Sequence, residues 1–350
     1  MSETIEAFQE RILAAAKNKS SLRIRGGGSK DFYGRPTLGE VLDTRSCSGI
    51  VDYEPTELVV TARCGTPLRE LESVLAERRQ MLAFEPPHFG QATVGGGIAT
   101  GLSGPRRATA GAARDFVLGV RILDGQGRDL RFGGRVMKNV AGYDVSRLMV
   151  GSLGTLALIT EVSLKVLPIP ATSATVVREA TEADALDAMN KWGGKALPIS
   201  ATCFVEGRLF VRLAGASSAL KPARTQLGGE ELADADRFWE SLREQTHPFF
   251  SGAGNLWRLS VPSATKPLGL GPTLIEWGGA QRWTWEERDG TSGRAAAVKA
   301  KGHASLFRAA GNRQDVFTPL SPALAKIHQN LKKAFDPQGI FNPGRMYADL

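Results

Sequence analysis

The chain has 350 residues, of which 42% are hydrophobic and 40 are glycine, and its formal net charge is +8. This length is sufficient for two domains of ordinary size with a sizeable core. The basic residues are scattered among 36 acidic ones, which argues against a nucleic-acid-binding protein. The three cysteines show no C-x-x-C spacing, which argues against a disulfide framework or an iron–sulfur cluster, and we expect small buried side chains.

The first predicted element is an amphipathic helix at the N-terminus. Acidic and polar residues come first, and Phe8, Ile12, Leu13 and Ala16 then follow at helical spacing, which is unlike a cleavable signal. No apolar run approaches the length of a membrane span. We therefore expect a cytoplasmic protein, and peripheral attachment to the inner membrane through a larger complex stays open.

A short apolar strand from Leu22 to Arg25 leads directly into a first glycine run at 26–28, which is followed by Ser29. Glycine tolerates left-handed and crowded backbone, so successive amides of such a turn can surround a diphosphate. Arg25 and Ser29 would add further donors. For this run alone, an ordinary turn is the simpler interpretation.

Two further glycine runs favour the phosphate interpretation. The second run extends from Thr93 to Gly101, and the third, from Gly151 to Thr155, lies before an apolar strand. Three such loops suggest one long cofactor. Asp31 stands where a dinucleotide fingerprint requires glycine, and no Walker lysine follows, so the familiar nucleotide-binding folds are set aside.

Short strands alternate with short helices as far as Pro168. We predict strands at 49–52, 58–62, 116–123, 129–132 and 156–167, a hairpin turn at 124–127, and a helix over 67–79 that Thr66 caps. Pro168 and Pro170 mark a domain boundary. Beyond them the pattern predicts an antiparallel sheet backed by helices, and a last helix over 321–335 that returns to the first domain.

Five segments, at 25–29, 93–97, 140–144, 150–161 and 335–345, occur in an order typical of one family. Together they resemble the FAD-linked oxidases of the vanillyl-alcohol oxidase type, and the combination is more specific than any single motif. The resemblance implies an α+β fold in three parts. These are a two-lobed PCMH-type FAD-binding domain (1–168), a reduced antiparallel-sheet cap domain (169–318) and a closing segment (319–350) that returns to the FAD domain.

Within that family, the sequence from Lys138 to Asp144, the short chain and the reduced second domain are similar to the FAD-binding subunits of glycolate oxidase complexes. This likeness implies a part in the oxidation of glycolate, a 2-hydroxy acid, to glyoxylate. It implies a larger FAD-containing catalytic subunit and an iron–sulfur subunit as partners. The alternatives are a stand-alone flavoenzyme of the same fold with its own alcohol or enolpyruvyl substrate, and a scaffold with a vestigial site.

The resemblance also implies which residues hold the FAD. The diphosphate and ribityl chain would lie on Arg25, Gly26, Gly27, Gly28, Ser29, Thr93, Val94, Gly95, Gly96 and Gly97, and the flavin ring towards Ala99, Thr100 and Gly104. The nucleotide half would lie on Gly151, Gly154, Thr155 and Ile159. For Ile159, a place in the core of an ordinary strand is an equal interpretation. Asn342 and Arg345 would close the site. Covalent members carry a histidine beside the first run, where this chain has Ser29 and Lys30, so we expect noncovalent FAD.

Oxidation of a 2-hydroxy acid needs a group that takes the hydroxyl proton and a cation that holds the carboxylate. Arg258 and Arg282, each beside a tryptophan, are candidates for the carboxylate, and Tyr143 is a candidate acid or base. Structural roles are the simpler interpretation for all three. The four histidines are isolated, so we expect no metal site.

Because catalytic groups are scarce, the sequence favours an electron-relay or assembly role, with substrate oxidation in the larger partner. A flavin accepts electrons in pairs and releases them singly, which suits a position next to iron–sulfur clusters. Partner contacts are predicted at aromatic residues that we expect to be exposed, namely Trp239, Phe249, Phe250 and Trp285.

Overall fold

The structure is a computed structural model that describes residues 2–134, 144–286, 291–311 and 313–350. Within these residues the chain forms two large antiparallel sheets, each accompanied by helices, which confirms the predicted α+β class. None of the helices in the described part of the chain is both long and apolar enough to cross a membrane.

The first half of the chain is built around a five-stranded antiparallel sheet with the order β3-β4-β8-β6-β7. Its core includes Leu71, Leu75, Ile122 and Val162, all with no exposed surface. The elements of this half are α1 (Ser2–Asn18), β1 (Leu22–Arg25), β2 (Glu40–Asp43), β3 (Ile50–Glu54), β4 (Val59–Arg63), α2 (Leu68–Glu77), β5 (Gln80–Met81), α3 (Val94–Thr100), α4 (Arg107–Ala110), α5 (Ala113–Phe116), β6 (Val117–Leu123), β7 (Asp129–Gly133), α6 (Val145–Met149), β8 (Leu158–Lys165) and β9 (Leu167–Pro168).

Helix α2 begins without the side-chain cap that the sequence predicts. Pro67 occupies the N-cap position, and no side chain bonds to the first turn. The Thr66 hydroxyl instead accepts from the backbone N–H of Gly49, at 2.9 Å, and lies 3.1 Å from its carbonyl oxygen. The prediction for Thr66 is therefore wrong, and burial of Leu68, Leu71 and Leu75 on one face stabilises the helix.

The second glycine run forms a helix, α3, where the sequence predicts a loop. The Thr93 hydroxyl caps it by accepting from the N–H of Gly96 at 3.3 Å, and Gly101, with φ +63°, ends it in the left-handed region. Glycine is a poor helix former, so tertiary contact must compensate. A Cβ on Gly95 would lie 2.6 Å from Cβ of Cys64, so this helix packs closer to strand β4 than any side chain would allow.

The second half of the chain forms an eight-stranded antiparallel sheet with the order β13-β10-β12-β11-β15-β16-β14-β17. Strand β17 and helix α10 are absent from the sequence-based prediction. The elements are β10 (Thr172–Glu179), α7 (Glu182–Gly193), β11 (Ile199–Val205), β12 (Arg208–Gly215), α8 (Ser217–Leu227), β13 (Glu230–Glu231), α9 (Ala235–Arg243), β14 (Asn255–Ser260), β15 (Thr273–Glu276), β16 (Gln281–Glu286), α10 (Thr291–Lys299), β17 (His303–Arg308) and α11 (Pro322–Phe335), with 3-10 turns at Pro248–Ser251 and Trp277–Gly279.

The aromatic residues predicted to be exposed partner contacts lie in or against the core of this half. Trp239 is 3% exposed and donates its indole N–H to the Thr175 hydroxyl at 2.9 Å. Phe250 is 8% exposed, and Phe249 and Trp285 pack against the same cluster. The prediction of exposed aromatic contacts is therefore wrong, because the sheet and α9 enclose these side chains.

Two buried carboxylates connect the halves. Glu85, in the first half, pairs with Arg106 at 2.9 Å and with Arg212 of strand β12 at 2.9 Å. Glu244, in the second half, accepts from the backbone N–H groups of His88 and Phe89, the latter at 2.8 Å. These charge-assisted bonds join the first half of the chain to the second.

Candidate cofactor site

The three glycine runs and the C-terminal segment line one cavity of about 720 Å³. The cavity is lined by residues 24–31, Thr44, Cys64, Thr93, Gly95, Gly96, Ala99, Thr100, Leu153, Gly154, residues 157–159, Asn342 and Arg345.

Direct contact between the first and second runs explains why glycine is required. A Cβ on Gly26 would lie 2.3 Å from the Thr93 hydroxyl oxygen, and one on Gly27 would lie 1.4 Å from the Gln91 carbonyl oxygen. Gly28 has φ +70°, which favours glycine on conformational grounds alone. The runs therefore meet because these positions lack side chains, and backbone forms much of the cavity wall.

Asn342 connects the C-terminal segment to both the first strand and the third run. Its side-chain oxygen accepts from the backbone N–H of Ile24 at 2.9 Å, and its side-chain nitrogen donates to the Leu153 carbonyl at 2.7 Å. A Cβ on Gly154 would lie 2.7 Å from that nitrogen. Asn342 thus lines the cavity and also sets the spacing of two of its walls.

A buried lysine fixes this closing segment, and sequence reasoning missed it. The Lys332 ammonium donates to the carbonyls of Thr155 and Phe341, at 2.7 and 2.8 Å, and to the Asp336 carboxylate at 2.7 Å. Burial lowers the pKa of Lys332, although Asp336 opposes the shift. The i,i+4 spacing of lysine and aspartate at the end of α11 was the available signal.

Three cationic side chains also line the cavity, and they differ in their hydrogen-bond and ion-pair partners. Arg25 donates to Asp31 at 2.7 Å, and the Arg345 guanidinium donates to the carbonyls of Lys30 and Tyr33. Lys30 is buried, and desolvation lowers its pKa to about 8, while nearby Glu244 opposes the shift. Lys30 is a second residue that sequence reasoning missed, and its ammonium has no ion-pair partner among the described residues.

Cys64 forms part of the cavity wall, which sequence reasoning did not anticipate. The hydrogen bond with the neighbouring Cys47 thiol, together with burial, raises the pKa of Cys64 well above its usual value. A thiol held protonated is a poor nucleophile. All three cysteines are free and buried, as predicted.

The structure brings most of the predicted site residues to the cavity surface and places others elsewhere. Those on the surface are Arg25, Gly26, Gly27, Gly28, Ser29, Thr93, Gly95, Gly96, Ala99, Thr100, Gly154, Ile159, Asn342 and Arg345. Val94, Gly97, Gly151 and Thr155 are not among its lining residues, and Gly104 lines a different, smaller cavity. Tyr143 and the motif residues 138–143 lie outside the described residues.

The smaller cavity, of about 330 Å³, lies between the two halves. Glu276 at its wall is 4% exposed and accepts at Oε2 from Gln281 and from the Trp283 indole, both at 2.9 Å. Burial raises the pKa of Glu276 to about 7. Arg258, one of the predicted carboxylate partners, lines this cavity and donates to the Tyr33 hydroxyl at 3.1 Å.

Arg282, the other predicted carboxylate partner, reaches neither cavity. It is 1% exposed and donates to the carbonyls of Gly279, Lys266 and Thr265, the second at 2.9 Å. Its guanidinium therefore closes a loop over the sheet. No group of three or more histidine, cysteine, aspartate or glutamate side chains within the described ranges has an arrangement that would hold a metal.

A cavity lined by glycine runs, three cations and one carboxylate that is already paired suits a dinucleotide with a diphosphate. The fold and this site define an FAD-binding protein of the oxidoreductase class. A family profile described as "FAD binding domain" matches residues 2–133. A solved structure, alkyldihydroxyacetonephosphate synthase, superimposes with a TM-score of 0.67 over 96% of this chain and 74% of its own, at 16% identity, which shows the shared fold.

Among curated relatives, the glycolate oxidase subunit GlcE of Escherichia coli (strain K12) is 50% identical over 347 residues, 99% of this chain and 98% of its own length. The chain belongs to this family of glycolate oxidase subunits. The glycolate oxidase subunit GlcD of Bacillus subtilis (strain 168) is 32% identical over 155 residues, 44% of this chain and 33% of its own. The D-lactate dehydrogenase of Archaeoglobus fulgidus is 38% identical over 162 residues, 45% of this chain and 36% of its own. The predicted family and the FAD cofactor are confirmed.

Proposed function

We propose that this chain is the FAD-carrying subunit of a glycolate oxidase complex and takes part in oxidising glycolate to glyoxylate. One observation carries the proposal. Three glycine runs and the C-terminal segment, far apart in sequence, converge on one cavity in a chain that aligns end to end with a glycolate oxidase subunit.

Bound FAD would supply a ring that accepts two electrons from an alcohol carbon and releases them singly. The residues of this chain hold and orient that group. The backbone at Gly26, Gly27 and Gly28 and the ammonium of Lys30 suit the diphosphate, and Asn342 keeps the first strand and the third run at the required spacing.

The FAD is held without a covalent bond in this proposal. The position beside the first glycine run is occupied by Ser29 and Lys30, neither of which forms the histidyl link of covalent relatives. The Cys64 thiol in the wall is buried with a raised pKa, which disfavours a thiolate that would attack the flavin. Denaturation should therefore release all of the FAD.

The partners in the proposal are a larger FAD-containing catalytic subunit and an iron–sulfur subunit. Two similarities support the larger subunit as a partner. The chain is similar to GlcE, whose name describes it as a subunit of glycolate oxidase, and its first half is similar to GlcD, which is also named as a glycolate oxidase subunit. The iron–sulfur subunit follows from the chemistry, because electrons that leave a flavin one at a time need a one-electron carrier.

The test is reconstitution of the complex with wild-type chain, with Gly27→Ala and with Gly193→Ala. A Cβ at Gly27 would meet a carbonyl oxygen, whereas one at Gly193 has nothing within 4 Å. We expect Gly27→Ala to assemble without FAD in this subunit and to lose glycolate-dependent dye reduction, and Gly193→Ala to match wild type. Full activity of a complex that lacks this FAD would contradict the proposal.

A further inference from the structure

The smaller cavity lies next to the cofactor cavity. The Phe89 ring lines the smaller cavity, and its centroid is 5.5 Å from the Lys30 ammonium, which lines the larger one. Gly104, in the wall of the smaller cavity, follows helix α3, which supplies Ala99 and Thr100 to the larger one. A ligand in the smaller cavity would therefore lie near one end of the cofactor.

Several polar groups around the smaller cavity have hydrogen-bonding capacity that no described residue uses. Both bonds to the Glu276 carboxylate fall on Oε2, and no donor among the described residues contacts Oε1. Gln281 uses its amide nitrogen for Glu276, and no described donor contacts its amide oxygen. The Ser103 hydroxyl accepts from the N–H of Ala113 at 3.0 Å and donates to no described residue. None of these three atoms is among the fully buried, unpartnered side-chain atoms of the described residues, so a ligand or water in the cavity can reach each of them.

Arg258 provides a cation at the same cavity. Its guanidinium lies 5.6 Å from the Phe307 ring centroid and 5.7 Å from that of Tyr33, which holds it in place. No described carboxylate lies within ion-pair distance of Arg258. The adjacent Arg243, by contrast, pairs with Glu244 at 2.8 Å. A guanidinium without a protein anion, beside a cavity, suits a ligand carboxylate.

Large apolar side chains form much of the remaining wall and restrict the size of the ligand. Phe89, Leu102, Trp283 and Phe307 surround a space of about 330 Å³, including its open mouth. That is less than half of the 720 Å³ of the cofactor cavity. The space suits a molecule of a few carbons. Arg258 is the lining arginine without an ion-pair partner among the described residues, and it matches one carboxylate.

We propose that the smaller cavity binds a small 2-hydroxycarboxylate, with the carboxylate on Arg258 and the hydroxyl donating to Oε1 of Glu276. The inference rests on the proposed function and deepens it, because it places substrate binding in this chain as well as FAD binding. It replaces the pure electron-relay role that the sequence favours. Glycolate, with two carbons, is the substrate of this class that the family association suggests.

The test measures binding and not turnover. Equilibrium dialysis of labelled glycolate and labelled acetate is carried out on the full FAD-loaded chain, reduced beforehand with dithionite so that glycolate cannot be oxidised. We expect one glycolate site per chain and an affinity for glycolate about tenfold above that for acetate, because acetate lacks the hydroxyl that donates to a charged acceptor.

Two substitutions separate the two contacts. Arg258→Met should lower the affinity for both glycolate and acetate about tenfold or more, since the carboxylate of each ligand loses its charged partner. Glu276→Gln should abolish the preference for glycolate over acetate and leave acetate bound equally well or better, because a negative charge is removed. Arg178→Met is the matched control, since Arg178 also lies over a ring, that of Trp192 at 5.9 Å, but far from this cavity in the fold.

Flavin absorbance reports FAD content and folding for each variant. If Arg258→Met loses its FAD, Arg258→Lys takes its place, and glycolate affinity should fall severalfold because lysine cannot make the bidentate contact. FAD-loaded chain without saturable glycolate binding, or with affinities that these substitutions leave unchanged, would overturn the inference and leave the proposed function intact. Failure of the wild-type chain to bind FAD would overturn the proposed function itself.

Discussion

The two cavities of this protein are built from different material. Six glycines line the cofactor cavity, and five of them occur as the short contiguous runs 26–28 and 95–96. The polar wall of the smaller cavity includes side chains from three neighbouring strands, Arg258 on β14, Glu276 on β15 and Gln281 on β16. A site built from glycine runs can be recognised in the sequence, because its residues are consecutive. A site built from side chains on different strands can be recognised only when the pairing of the strands is known.

The largest effect is expected where the backbone wall is broken. Gly27→Ala puts a Cβ 1.4 Å from the Gln91 carbonyl oxygen, so the first and second runs must separate. We expect FAD affinity to fall at least about a hundredfold, as for a strained and overpacked site. Quenching of FAD fluorescence on titration with apoprotein measures this, and Gly193→Ala is the control. Equal affinities would show that contact between the runs is not needed.

The next effect tests the support of the closing segment. Lys332→Met removes the ion-pair partner of the buried Asp336 carboxylate and the donor to two carbonyls, and leaves Asp336 only the backbone N–H groups of Ile340 and Phe341. Removing one partner of a buried ion pair typically costs about 3–5 kcal/mol, and we expect a loss of that size in the free energy of unfolding by urea. Lys333→Met, on the exposed side of the same helix, should change it by less than about 0.5 kcal/mol. Similar losses for both would contradict this role.

The smaller cavity should make stability depend on pH in a specific direction. Burial raises the pKa of Glu276 from 4.5 to about 7, with Glu85 adding to the shift and Arg212, Gln281 and Trp283 opposing it. Between pH 4.5 and about 7, Glu276 is more protonated in the folded state than in the unfolded state. The free energy of unfolding should therefore fall as pH rises through this range. We expect a fall of about 2–3 kcal/mol between pH 4.5 and 7 that Glu276→Gln removes. Parallel pH profiles for both proteins would contradict the burial of an unpaired carboxylate.

A smaller pH effect is expected on FAD binding. The pKa of Lys30 is lowered to about 8, so the unliganded protein loses this positive charge above that pH. An anionic diphosphate favours charged Lys30, and FAD affinity should therefore fall as pH rises from 7.5 to 9.5, by about tenfold at most. Lys30→Met should bind FAD more weakly at pH 7.5 and show no such decline. An identical decline in the variant would assign the titration to another group.

These differences explain how much the sequence alone could predict. The hairpin of β6 and β7 was predicted nearly to the residue, because local turn chemistry determines it. Helix α3 was predicted as a loop, because its glycines lack intrinsic helix propensity and only packing against Cys64 makes them helical.

Side-chain roles were harder to predict for the same reason. Arg258 and Arg282 look equivalent in sequence, each next to a tryptophan, yet Arg258 lines a cavity and Arg282 binds carbonyl groups. Lys30 and Glu276 gain their importance from burial, which no local pattern indicates. Trp239 was placed on the surface because the enclosing sheet contacts come from distant strands.

The central claim is that three separated glycine runs and the C-terminal segment together bind one FAD. Hydrogen–deuterium exchange of the chain with and without FAD tests it most directly. We expect one equivalent of FAD to protect the amides of 24–31, 93–100, 153–159 and 342–345 from exchange simultaneously. In Gly27→Ala, we expect FAD to protect none of these four segments. Protection confined to one of these segments, or located outside them, would contradict the account.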